Sequence, residues 1–81
     1  MPRRPRPDPF LVALGDTIRE LRTEQGLSQE ELSLRCGVHR NYIGGVERAE
    51  RQPSALTVVR LAAALGVKPS EVFKRAERRR K

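Results

Sequence analysis

Cysteine, histidine and aromatic residues are all scarce in this chain of 81 residues. The single cysteine, Cys36, leaves no partner for an intramolecular disulfide and too few thiols for a cysteine-rich zinc site. The one histidine, His39, and the two aspartates, Asp8 and Asp16, form no spacing suited to a metal or to a base paired with a nucleophile. Ser28, Ser33, Ser54 and Ser70 fall where helices start or run. These shortages argue against an enzyme, and no metal or cofactor is expected. No apolar run approaches the roughly 20 residues of a membrane span. The N-terminal arginines are not followed by an apolar core with a small-residue cleavage site, so no secretory signal is read. The expectation is a soluble, cytoplasmic protein. Aromatics make up 4% and no stretch alternates apolar with polar residues, so strands are not expected either.

What is abundant is positive charge. Lys and Arg number 17 against 10 acids, a net charge of +7. That excess favours an anionic partner, nucleic acid first and an anionic membrane surface second. The length allows one small domain, which buries only roughly 60% of its unfolded surface and gains from a partner subunit.

Residues 1–9 alternate proline with arginine and are expected to be a disordered basic tail. Two readings stay open for it, a solubilising tail or an arm on DNA backbone or minor groove. Residues 77–81 read as a second basic tail, where a last helix frays. Between them, over residues 10–76, the pattern predicts five helices. The first covers about residues 10–25, with Leu11, Leu14, Ile18 and Leu21 at helical spacing and Gly26 closing it. Ser28 and Glu31 spell a capping box at the start of the second, and Leu27 with Leu32 spells a hydrophobic staple. Gly37 ends that helix at a sharp turn. The third covers about residues 40–48, the fourth about 54–65 behind the cap Ser54, and the fifth starts at Pro69.

Residues 27–47 thus read as two short helices joined at a glycine, the layout of a helix-turn-helix that sets its second helix in the DNA major groove. On that second helix Ile43 and Val46 belong to the core. Asn41, Gly44, Gly45 and Arg48 fall at i, i+3, i+4 and i+7 on the other side, with Arg40 beside them in the first turn. Arginine can donate two hydrogen bonds to guanine and asparagine can pair with adenine, so Arg40 and Asn41 are the candidate base readers. Ordinary surface polarity is the bland alternative. Two glycines inside a helix cost about 1 kcal/mol each. Either Gly44 and Gly45 allow close approach to DNA, or they are drift rescued by packing. Gln29, at the positive N-terminal end of the second helix, and Tyr42 are candidates for DNA phosphates, as are Arg48, Arg51 and Gln52. The Tyr42 ring fits the core equally well. His39 reads as a weak cap or a surface group at the edge of the phosphate row, not as a metal ligand.

These residues carry a resemblance. Residues 26–32 (GLSQEEL), Gly37-Val38, Tyr42-Ile43 with Val46-Glu47-Arg48, Pro53-Ser54, residues 61–67 (LAAALGV) and Val72-Phe73 resemble the XRE family, the Cro/C1-type helix-turn-helix regulators of bacteria and phages. The resemblance covers about residues 14–73. Within the family, residues 42–48 look most like the small controller proteins of restriction–modification systems, which are stand-alone dimers. It implies an all-α, five-helix, lambda-repressor-like fold, operator DNA as ligand, and recognition from Arg40, Asn41 and Gly45. It also implies that Arg22 pairs with Glu47, whose carboxylate near a helix C-terminus needs a cation.

The chain departs from the family at Ala49, where a glycine usually follows Glu-Arg, and at Gly45, where many relatives carry a longer base-contacting side chain. Leu34 and Leu56 replace residues that are usually polar. Leu56 and Ala63 lie seven apart on the fourth helix and, with Val72 and Phe73 of the fifth, are the candidate dimer interface. Scattered surface apolars remain the alternative. The expectation is a homodimeric transcriptional regulator, repressor or activator, that binds double-stranded palindromic operator DNA, with contact to RNA polymerase in the activating case. An antitoxin-like protein-interaction module ranks second, and RNA binding third, because stacking aromatics are few.

Overall fold

The computed structural model describes residues 7–79 and contains five α-helices, with no strand among those residues. They are α1 (Pro9–Glu24), α2 (Gln29–Cys36), α3 (Arg40–Glu47), α4 (Ala55–Ala64) and α5 (Pro69–Arg79). The short connections force neighbouring helices to fold back on each other. α1 packs on α5 and α3, α2 on α3 and α4, and α4 on α5.

Both tails differ from expectation where they can be described. Asp8 accepts a hydrogen bond from the Phe10 amide at 2.7 Å and caps α1, with Pro9 as its first residue. Asp8 and Pro9 therefore belong to the domain. α5 runs to Arg79, beyond the expected boundary at residue 76, because Arg79 and Arg75 pair with Glu20 of α1 while Arg75 also reaches Glu24 and Glu71. The arginines of residues 1–6, read as part of a basic tail, and residues 80–81 lie outside the described residues.

Leu14, Ile18 and Leu21 of α1, Leu32 of α2, Ile43 of α3, Val58, Leu61 and Leu65 around α4, and Val72 and Ala76 of α5 fill one core. Each comes from an apolar position at helical spacing. Leu27 is buried with Leu32, and the Ser28–Glu31 capping box is complete, with amide-to-side-chain distances of 3.0 and 2.9 Å. The Ser28 amide and hydroxyl also hold the Glu31 carboxyl below its ordinary value.

Candidate nucleic-acid interface

Residues 37–39 join α2 to α3. Gly37 takes a left-handed conformation (φ 73°), where its amide donates to the Ser33 carbonyl and the chain reverses within one residue. His39 then caps α3: its Nδ1 accepts from the Asn41 amide at 3.0 Å. An accepting Nδ1 leaves the ring proton on Nε2. The ring stays exposed at the helix entrance.

Arg40 and Asn41 both stand exposed in the first turn of α3. Arg40 reaches Glu30 of α2 at 3.1 Å, but both side chains are more than half exposed. Such a pair is worth little in water and yields readily to a stronger acceptor. The Asn41 amide group has no partner among the described residues, so both its donor and its acceptor are free for a base edge.

Of the two readings of the glycines, the structure displays the packing one directly. Gly44 and Gly45 are buried, and the atoms over them belong to this chain. A methyl group on Gly44 would come within 2.9 Å of the Arg48 guanidinium and 3.3 Å of Gln29 Oε1. On Gly45 it would come within 2.5 Å of Arg51 Cγ. The space left by the missing side chains is filled by longer ones from α2 and from the loop after α3.

Gln29 and Tyr42 are partly buried, and each has a partner within the chain. Gln29 Nε2 donates to Glu47 Oε1 at 3.0 Å, so its amide supports α3 in this structure. The Tyr42 hydroxyl uses its one proton on the Gln52 carbonyl at 3.0 Å, fastening the loop after α3 to the helix. Arg48 stays exposed and pairs with Glu50 at 3.1 Å, while Arg51 and the Gln52 side chain are exposed as well. Exposed cations thus stand at both ends of α3, Arg40 beside Asn41 at its start and Arg48 and Arg51 just past its end.

Glu47 anchors that end. Its side chain is fully buried, and Arg22 grips it with two hydrogen bonds of 2.7 and 3.0 Å. Arg22 also donates to the Leu27 carbonyl at 2.8 Å, and Arg19 approaches Glu47 at 3.6 Å. Burial alone pushes the Glu47 carboxyl up. The hydrogen bonds from Arg22 and Gln29, with the charges of Arg22 and Arg19, outweigh it and hold the carboxyl below its ordinary value. Its bond to Glu47 in turn raises the Arg22 guanidinium.

The helix-turn-helix family model matches residues 18–72. The chain belongs to that family. Among its relatives, an uncharacterized HTH-type transcriptional regulator of Sinorhizobium fredii, y4dJ, is 41% identical over 59 residues, covering 73% of this chain and 77% of the relative. The fold is similar to the crystal structure of the restriction–modification controller protein C.AhdI from Aeromonas hydrophila. That match has a TM-score of 0.75 and 48% identity, over 76% of this chain and 94% of the other. It is also similar to the controller protein C.Esp1396I, solved as a tetramer in complex with its natural 35 base-pair operator. There the TM-score is 0.80 at 25% identity, covering 88% of this chain and 93% of the other.

Two further residues, Gly15 against α3 and Gln25 against the end of α4, help to set how the helices pack and escaped notice in the sequence. Gly15 of α1 lies against the end of α3, where a methyl group would come within 2.4 Å of the Val46 carbonyl oxygen and 2.7 Å of that of Glu47. Its only sequence signal is a glycine inside an otherwise regular helix. Gln25 donates to the Leu65 carbonyl at 2.5 Å and ties the end of α1 to the end of α4. Ala49 has φ 59°, the left-handed value that glycine adopts easily, so the departure from the family pattern appears as backbone strain.

The candidate dimer face also changes. Val72 is wholly buried in the core and cannot meet a second subunit, because α5 turns it toward α1 and α4. Phe73 is 38% exposed, with its ring stacked on Phe10 of the same chain at 6.0 Å. Leu56 and Ala63 are exposed on α4, and Val59 joins them at the same helix face.

Proposed function

We propose that this chain is a transcriptional regulator that binds operator DNA in a sequence-specific manner as a homodimer, working in the cytoplasm. The observation that carries the reading is the exposed Arg40–Asn41 pair at the leading end of α3, held by the Gly37 turn and the buried Arg22–Glu47 pair. A helix so fixed can enter the major groove by its N-terminal end. There Arg40 offers guanine a two-bond fork and Asn41 offers adenine a matched donor and acceptor. Arg48 contributes phosphate contacts, which give affinity but no sequence choice. The function is equilibrium binding, with no bond made or broken.

The likeness to restriction–modification controller proteins, one of them bound to its operator as a tetramer, supports this reading and an oligomeric assembly on DNA. For the dimer, the exposed apolar face of α4 at Leu56, Val59 and Ala63 is the surface suited to a second copy. Two recognition helices would then meet half-sites roughly 34 Å apart on a palindrome. Occupancy over a promoter represses; contact with RNA polymerase from a site beside it activates.

Selection from random duplex DNA tests the reading. The expected result is an enriched palindromic motif whose affinity falls steeply with salt. No enriched motif, with affinity independent of salt, overturns it.

A further inference from the structure

Three of the helices begin on a side-chain oxygen: Asp8 caps α1, Ser28 caps α2 and Ser54 caps α4. Such an oxygen accepts a hydrogen bond throughout the neutral pH range. α3 begins on a nitrogen instead. His39 Nδ1 accepts from the Asn41 amide at 3.0 Å, which it can do only while the ring is neutral. His39 is also the one histidine of the chain. Histidine is the side chain whose ordinary titration falls between about pH 5 and 8, so this cap can be switched where the others cannot.

The surroundings give the switch its direction. Arg40 stands next to the ring on α3. On α2, Glu30 pairs with Arg40 at 3.1 Å, and Arg35 and Cys36 lie in the last turn before the connection. α1 also packs on α3, but it brings Arg19 and Arg22 to Glu47 at the far end of the helix. Among the described residues no carboxylate comes within 4.0 Å of the ring, so an imidazolium there has no ion-pair partner. It would also meet the positive end of the α3 dipole. Protonation puts a hydrogen on Nδ1 and turns the acceptor into a donor that faces the Asn41 amide. The contact that held the first turn of α3 becomes a repulsion, and that turn carries Arg40 and Asn41.

We propose that His39 is a pH-sensitive cap of the recognition helix: neutral, it fixes Arg40 and Asn41 for base contact, and protonated, it releases the turn that carries them. The switch rests on the function proposed above and acts on that same site. On DNA the released imidazolium is drawn to phosphate, which every sequence supplies. Acid therefore lowers sequence preference while general affinity is kept or raised.

The test is a titration of the wild-type chain and His39→Ser against the selected duplex and a scrambled one, at about pH 7.5 and about pH 5.5 and constant ionic strength. A serine hydroxyl accepts at both pH values, as that of Ser28 does for α2. The wild-type preference for the selected duplex is expected to fall about fivefold at the lower pH, the usual worth of a helix cap. His39→Ser is expected to show the same preference at both. A wild-type preference equal at the two pH values overturns the proposal, as does one that falls equally in His39→Ser. Calorimetry at about pH 6, in buffers of different ionisation heat, reads the linkage directly. Relative to His39→Ser, the wild-type chain is expected to release protons on binding the selected duplex. Proton uptake makes a charged His39 a phosphate contact and overturns the proposal. A wild-type chain with no preference at the higher pH overturns the regulator reading itself, and the switch with it.

Discussion

Glu47 shows how one side chain holds a recognition surface in register. A carboxylate at the end of a helix meets the unfavourable end of the dipole and, once buried, loses its water as well. Arg22 offsets both with a two-bond grip from α1, so the pair joins the first helix to the third. Arg22→Ala leaves the buried carboxylate without its main partner and is expected to cost about 3–5 kcal/mol in denaturant unfolding. By contrast the exposed Arg40–Glu30 and Arg48–Glu50 pairs are expected to contribute under about 1 kcal/mol each. The pH dependence follows from the lowered Glu47 carboxyl. A group whose folded value is depressed supplies stability that is complete above the ordinary value, near 4.5, and is lost as pH falls through the lowered one. Thermal stability should therefore hold across neutral pH and drop below about pH 4.5. Glu31, lowered by its cap, adds to the same acid limb. Glu47→Gln should flatten that limb while lowering stability at neutral pH.

Elements built from local chemistry were legible in the sequence. The α2 start could be read because Ser28, Glu31, Leu27 and Leu32 act within one helical turn, and the stop at Gly37 because only its own φ matters. Which way α3 faces was legible too, since Ile43 and Val46 mark the buried side. What lies over the other side was not. The glycines at 44 and 45 sit on the outer arc of the helix by spacing, yet Gln29, Arg48 and Arg51 fold over them. Such covering depends on where a neighbouring helix and the next loop come to rest. Gly15 was hidden for the same reason, because its constraint comes from α3 carbonyls more than thirty positions away in the chain. Two substitutions separate these kinds of glycine logic at the ends of α3. Gly15→Ala pushes a methyl into backbone that cannot yield and is expected to destabilise by about 1–3 kcal/mol. Ala49→Gly relieves a left-handed alanine and is expected to stabilise by up to about 1 kcal/mol. Thermal melts of the two variants read both signs directly.

The described residues form a small helical body with an excess of basic groups and a separate apolar patch on α4. No helix among the described residues is long and apolar enough to cross a membrane. The positive excess suits the phosphate backbone, and the cations flanking Asn41 put part of it at the proposed interface. Leu56, 57% exposed, and Val59, 46% exposed, give α4 an apolar face that a second copy would cover. Val72 looked like part of that face from sequence because α5 also bears Phe73. Adjacent residues of a helix point some 100° apart, and only the packing of α5 shows which of the two goes inside. Sedimentation across a concentration series is expected to show a monomer–dimer equilibrium that Leu56→Glu shifts to monomer without unfolding the chain. A strict monomer at every concentration counts against the dimer.

The central claim is that the leading end of α3 reads DNA sequence. Its most direct measurement is a titration of the wild-type chain and Arg40→Ala against the selected duplex and a scrambled duplex of equal length, at several salt concentrations. The wild-type chain is expected to prefer the selected duplex by about a thousandfold or more, with both affinities falling as salt rises. Arg40→Ala should lose much of that preference and keep its fold. Equal affinity for the two duplexes, or a preference that survives Arg40→Ala unchanged, would contradict the claim.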